Sequence, residues 1–148
     1  MNLQGQVQPL FAPFSFLFYQ IMKTILVIDD NESFRLTLAE WLRFEGFHPL
    51  TAENGSEGIR LARDHAPNLI LCDFNMPDIN GVEVLKQLRN DLSTSRIPFF
   101  FFTSDKSLNP KYIQQLGANG ILEKDAEIYK LRQVISVACS PDLEKFDR

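Results

Sequence analysis

The chain has 148 residues, 45% of them apolar and 23% charged, with a formal net charge of −4. That size fits one globular domain able to bury a core, and the acidic balance argues against a nucleic-acid-binding surface, which needs a basic patch. The two cysteines, Cys72 and Cys139, have neither metal-site nor disulfide-framework spacing, so a reducing, cytoplasmic location is expected; His48 and His65 share no motif and read as structural or surface residues.

The first 22 residues differ from the rest. Residues 10–22 are rich in Phe and Leu and broken by Pro13. No Lys or Arg precedes Lys23, so a secretory n-region is missing, and the run is shorter than the roughly 20 residues a bilayer span needs. Three readings fit: a disordered or artefactual extension with the natural start at Met22, a segment that packs on the domain or on a partner, or a weak interfacial anchor. The first is the working expectation. It divides the chain into an apolar extension over 1–22, a domain over 23–139 and a short charged tail over 140–148.

From Lys23 onward strand and helix alternate. Thr24-Ile25-Leu26-Val27-Ile28 is a β-branched run ending in Asp29-Asp30. Asn31-Glu32 opens a helix with acids at its positive end. Phe34, Leu38, Trp41 and Leu42 form its apolar stripe, Arg35, Glu40 and Arg43 its outward face, and Gly46 its stop. Residues 47–52 make a second strand. Asn54-Gly55-Ser56-Glu57 resembles a capping box for a helix that turns Ile59, Ala62 and Ala66 inward. The uninterrupted run Leu69-Ile70-Leu71-Cys72 fits a strand buried on both faces, stopped by Asp73 and left through Met76-Pro77. A third helix follows Gly81, with Val82, Leu85 and Leu88 on one face. Residues 97–102 form a fourth strand in which Pro98 is tolerated only near the start; its four Phe fit a central strand under helices. Asn109-Pro110 starts a fourth helix, residues 120–123 form a fifth strand, and Ile128, Leu131, Ile135 and Ala138 mark the core face of a last helix. Five βα units of this kind imply a parallel sheet with helices on both sides.

In a parallel sheet all strands end on one edge, where ligands bind in open α/β folds. That edge collects Asp29 and Asp30, Asp73, Thr103 and Lys124. Asp73 is either a helix or turn cap or a nucleophile for a phosphoryl group. Three crowded carboxylates should titrate upward as a coupled set unless a cation joins them. Lys124 supplies one charge, and the remainder suits a hard divalent ion such as Mg²⁺. For phosphoryl transfer to Asp73, the metal, Lys124 and the Thr103 hydroxyl would give each equatorial oxygen a partner.

The acidic pair, Asp73, the loop Met76-Pro77-Asp78-Ile79-Asn80-Gly81, Thr103 and Lys124 together resemble the response-regulator receiver domains of two-component signalling, in their single-domain, chemotaxis-regulator-like form. The resemblance covers residues 23–138 in order. It implies a flavodoxin-like, doubly wound five-stranded parallel sheet of order 2-1-3-4-5. It also implies a phosphoacceptor Asp73 served by a histidine kinase or phosphotransfer protein, and Mg²⁺ held by Asp30, Asp73 and the backbone carbonyl of Asn75, with Asp29 acting through water. Thr103 is then the switch hydroxyl and Lys124 the phosphate-contacting lysine, in a protein that assists its own phosphorylation and dephosphorylation without being an enzyme on another substrate. Two positions depart from the family pattern. Asp125 replaces the proline that usually follows the lysine, so a trans or locally shifted loop is expected there. Ile121 replaces an aromatic residue, so output is expected through backbone shifts rather than a swinging ring.

Other functions fit less well. An aspartate-nucleophile hydrolase would carry a second acid two residues after the nucleophile, where Asn75 and Asn31 stand. A flavin or nucleotide domain would want a Gly- or Ser/Thr-rich cradle after the first strand, where Asp29-Asp30-Asn31-Glu32 would repel phosphate. A phosphorylation-independent interaction module remains the alternative if Asp125 displaces Lys124. The sequence shows no output domain, so signalling is expected by contact with a downstream protein on the face of the fourth helix, fifth strand and fifth helix, without nucleic acid or a membrane span.

Overall fold

The computed structural model describes residues 22–139; the expectations for the rest of the extension and for the tail fall outside them. Five strands, β1 (Thr24–Ile28), β2 (His48–Ala52), β3 (Leu69–Cys72), β4 (Phe99–Thr103) and β5 (Gly120–Glu123), form one parallel sheet in the order β2-β1-β3-β4-β5. Between and after them run α1 (Glu32–Phe44), α2 (Gly55–His65), α3 (Gly81–Arg89), α4 (Pro110–Gln115) and α5 (Ile128–Ala138). The order and the layering are those expected from the sequence. Among the described residues no helix is long and apolar enough to cross a membrane.

Side chains alternate across each strand, so an interior strand under two helical layers needs apolar residues at every position. Leu26, Ile28, Ile70, Cys72, Phe99 and Phe101 pack with α2, α3 and α4. Ile25, Val27, Leu69, Leu71 and Phe102 pack on the other face with Leu38 and Leu42 of α1 and Leu131 and Ile135 of α5. The phenylalanine run is therefore core, and the Phe99 and Phe101 rings meet edge to face at 5.1 Å. The helices start where the cap residues stand. The side chains of Asn31, Asn54, Asn80 and Asn109 each accept a backbone N–H of the first turn. Gly46, at φ +95°, follows the end of α1.

Several local expectations are corrected. Arg35 points inward and is buried, because its guanidinium has a carbonyl to satisfy beneath the sheet edge. Ala66 is the exposed left-handed C-cap of α2 (φ 45°) rather than a core residue. Val84 takes the fully buried position on α3, with Val82 half-buried, and Ile128 is 46% exposed at the start of α5. β4 begins at Phe99, after Pro98, and includes Thr103.

Candidate functional site

Strand register brings the polar residues together. Ile28 pairs with Cys72, so Asp29 and Asp73 leave adjacent strands side by side, and the Asp73 N–H donates to the Ile28 carbonyl at 2.8 Å. Thr103 pairs with Glu123, and the Lys124 N–H donates to the Thr103 carbonyl at 2.9 Å. Asp29, Asp30 and Asp73 each offer a carboxylate oxygen, and these atoms lie within 4.8 Å of one another. Asp29 and Asp73 are buried and Asp30 is exposed.

Lys124 reaches over this cluster. Its Nζ stands 2.6 Å from Asp29 Oδ2 and 3.5 Å from Asp73 Oδ2, and 4.6 Å from the centroid of the Phe34 ring, a cation–π contact. No described peptide bond is cis, so Asp125 follows Lys124 in trans without displacing it. The other Asp29 oxygen, Oδ1, accepts the Asn31 N–H at 2.9 Å. Both Asp29 oxygens are thus engaged from within the protein. Burial raises the Asp73 pKa, and the Asp29 charge raises it further; the Lys124 ammonium opposes both without cancelling them. Burial and the same carboxylates push the Cys72 thiol up as well, so it stays protonated in the core.

Thr103 is buried, and its hydroxyl accepts the Asp105 N–H at 3.1 Å. It occupies the site edge but is held by its own loop. Asn75 lies exposed in the loop after Asp73. Gly81 closes that loop against the sheet: a Cβ there would collide with the Asp73 carbonyl oxygen and the Phe101 ring. Two contributors escaped the sequence reading. The Arg35 guanidinium donates to the Asp29 carbonyl at 2.8 Å, anchoring the acidic turn from below. The Asp78 carboxylate accepts the Gly55 and Ser56 N–H groups at 3.2 Å, tying the loop to the N-terminus of α2. Desolvation pushes Asp78 up, but the N–H donors of Ile79, Ser56 and Gly55 outweigh it and hold its pKa low. Its position in a Met-Pro-Asp loop was visible; that the loop meets residues 55–56 was not.

The donor set is hard oxygen, partly open to solvent, and carries more negative charge than Lys124 offsets. That chemistry fits a hard divalent cation. Residues 25–136 match the family model for the response regulator receiver domain. The chain belongs to that family. As a receiver domain of two-component signalling it is 34% identical over 116 residues to Protein PilH of Pseudomonas aeruginosa, covering 78% of this chain and 96% of that one. In structure it resembles the chemotaxis protein CheY4 of Vibrio cholerae, with a TM-score of 0.73, 27% identity and coverage of 79% and 98%. The receiver domain of Saccharomyces cerevisiae Ssk1, crystallised with the histidine phosphotransfer protein Ypd1, shares its fold, with a TM-score of 0.69, 22% identity and coverage of 78% and 87%.

Proposed function

We propose that this receiver domain is a phosphoacceptor switch in which Asp73 takes a phosphoryl group, in a Mg²⁺-dependent reaction, from a phosphohistidine on a histidine kinase or phosphotransfer protein. A carboxylate oxygen of Asp73 attacks phosphorus, the P–N bond to the imidazole breaks, and the departing ring nitrogen takes up a proton. The product is an acyl phosphate. The observation that carries this reading is the Lys124 ammonium 3.5 Å from Asp73 Oδ2, at the edge where three carboxylates converge. Lys124 would hold one phosphoryl oxygen as a point charge. Thr103 would donate its hydroxyl proton to another, since accepting the Asp105 N–H occupies only a lone pair.

Asp30, Asp73 and the Asn75 carbonyl are the ligands for Mg²⁺ in this reading, with Asp29 acting through water because both its oxygens are engaged. The bound ion would neutralise charge spreading over the phosphoryl oxygens. The crystallised Ssk1–Ypd1 pair supports a phosphotransfer partner. The output face is α4, β5 and α5, with half-buried Ile121 in the core leaving backbone movement of the β4–α4 loop to carry the signal. A cytoplasmic location belongs to the same reading, in accord with two unpaired cysteines.

The test is intact-mass measurement after incubation with a small phosphodonor and Mg²⁺. Wild type is expected to gain one phosphoryl group and Asp73→Asn none. Uptake by the variant would remove Asp73 as acceptor, and an inert wild type would restore the phosphorylation-independent module.

A further inference from the structure

Phe34 opens the apolar stripe of α1, yet its ring reaches the acidic cluster. The Lys124 Nζ stands over that ring, 4.6 Å from its centroid, and the Phe102 ring of β4 lies 5.3 Å from it, tilted by 51°. Four contacts close a circuit here. Asp29 Oδ1 accepts the Asn31 N–H at 2.9 Å. The Asn31 side chain, capping α1, accepts the Phe34 N–H at 2.9 Å. The Phe34 ring takes the ammonium of Lys124, and that ammonium returns to Asp29 Oδ2 at 2.6 Å. The ring is therefore fixed relative to the same carboxylate that the lysine pairs with.

We propose that Phe34 is a positioning residue for Lys124, its ring holding the ammonium over Asp29 and Asp73 where an incoming phosphoryl oxygen would meet it. The consequence for transfer rests on the phosphoacceptor reading; the placement of the ammonium does not. A lysine side chain has many rotamers to lose, and Asp29, at the shorter distance, competes with Asp73 for its charge. A π face attracts a cation most strongly where water is excluded, and the Lys124 side chain is only 17% exposed. The ring also brings no formal charge. A carboxylate at position 34 would take N–H groups from Asp29 and Asp73, whereas the ring leaves both pairs intact and the surplus negative charge of the cluster in place. The ring and the lysine border an apolar hollow of about 230 Å³, shared with Leu38, Trp41, Phe102 and Leu122. A smaller side chain at position 34 would widen that hollow toward the ammonium and admit water to it.

The experiment uses the full 148-residue chain as wild type, as Phe34→Leu and Phe34→Tyr, and with mono-, di- and trifluorinated phenylalanine incorporated at position 34 alone. Fluorine drains the π face at nearly constant ring shape. Circular dichroism and cooperative unfolding verify the fold of each. One readout is the nitrogen NMR signal of the Lys124 ammonium, assigned by its loss in Lys124→Met and visible only while its protons exchange slowly. The other is the rate of phosphoryl uptake from acetyl phosphate with Mg²⁺, followed by intact mass. Phe34→Tyr is expected to keep the ammonium signal and the rate. Phe34→Leu is expected to lose the signal and to slow uptake about tenfold, and the fluorinated series to decline stepwise in both. An ammonium signal missing from wild type, or equally strong in Phe34→Leu, would overturn the proposal. So would uptake at the wild-type rate from a loosened ammonium, or a loss in Phe34→Leu that the fluorinated series does not follow, which would make the ring a packing residue. A wild type inert to acetyl phosphate would overturn the phosphoacceptor reading instead, and the ammonium signals would still decide whether Phe34 places Lys124.

Discussion

The sheet edge carries two lysine–dicarboxylate clusters that differ mainly in their access to water. In one, Lys124 stands 2.6 Å from Asp29 and 3.5 Å from Asp73, with side chains no more than 17% exposed. In the other, Lys106 stands 2.9 Å from Asp125 and 3.8 Å from Glu123, with side chains 46–64% exposed. In the exposed cluster the charges settle one another: a hydrogen bond and Coulomb attraction from Asp125 raise the Lys106 pKa, and the Lys106 bond and charge lower that of Asp125. In the buried cluster Asp73 is pushed the wrong way for a carboxylate beside a lysine, because desolvation and Asp29 together outweigh Lys124. Water would have screened the repulsion; burial preserves it. Each cluster has one more carboxylate than lysine; only in the buried one is that deficit of positive charge unscreened, and there the proposed divalent cation would act.

Replacing Lys124 by Met breaks the buried cluster and should have the largest consequence. Removing one partner of a buried ion pair costs about 3 kcal/mol, so chemical denaturation should show a lower midpoint. Mg²⁺ should restore more stability to this variant than it adds to wild type, since the cation replaces the lost charge. A denaturation midpoint equal to that of wild type would mean that Lys124 does not hold the carboxylates together.

Asp78 is the intermediate case, an exposed acid held by two helix N–H groups. Asp78→Ala should destabilise by about 1 kcal/mol, the usual worth of an N-terminal cap. Because the folded pKa of Asp78 is depressed, its contribution is present above the ordinary carboxylate range and lost as pH falls through the folded pKa. The gap between wild type and variant, measured by thermal melts across acidic pH, should close in that direction. Lys106→Met should do least. The melting temperature should stay near that of wild type, and any difference should vanish in high salt. A loss matching that of Lys124→Met would erase the distinction between the clusters.

Much of this was legible in the chain itself. Continuous apolar runs betray strands covered on both faces, and each run stops at a polar residue, so Asp29, Asp73, Thr103 and Lys124 could be assigned to one edge before any coordinates. Asn31, Asn54 and Asn109 marked three helix starts, whereas the cap at Asn80 emerged only from the structure. What failed depended on contacts between distant segments. Arg35 looked like an outward charge because its pattern neighbours are polar, yet the Asp29 carbonyl needs a donor there. Thr94 stands among the polar residues Asp91, Ser93 and Ser95 between α3 and β4, but its buried hydroxyl donates to the Leu88 carbonyl at 2.7 Å. Periodicity has no means of reporting a side-chain hydrogen bond to a backbone carbonyl.

The most direct test of the charge deficit is the unfolding free energy of Asp73→Asn and wild type compared across pH without divalent ions. Asp73 has a raised folded pKa, so its penalty is absent below the ordinary carboxylate range, grows as pH rises through the folded value, and is complete above it. The asparagine variant is therefore expected to be the more stable protein at neutral pH, to lose that advantage in acid, and to lose most of it when Mg²⁺ is added. A variant no more stable than wild type at neutral pH would contradict the account.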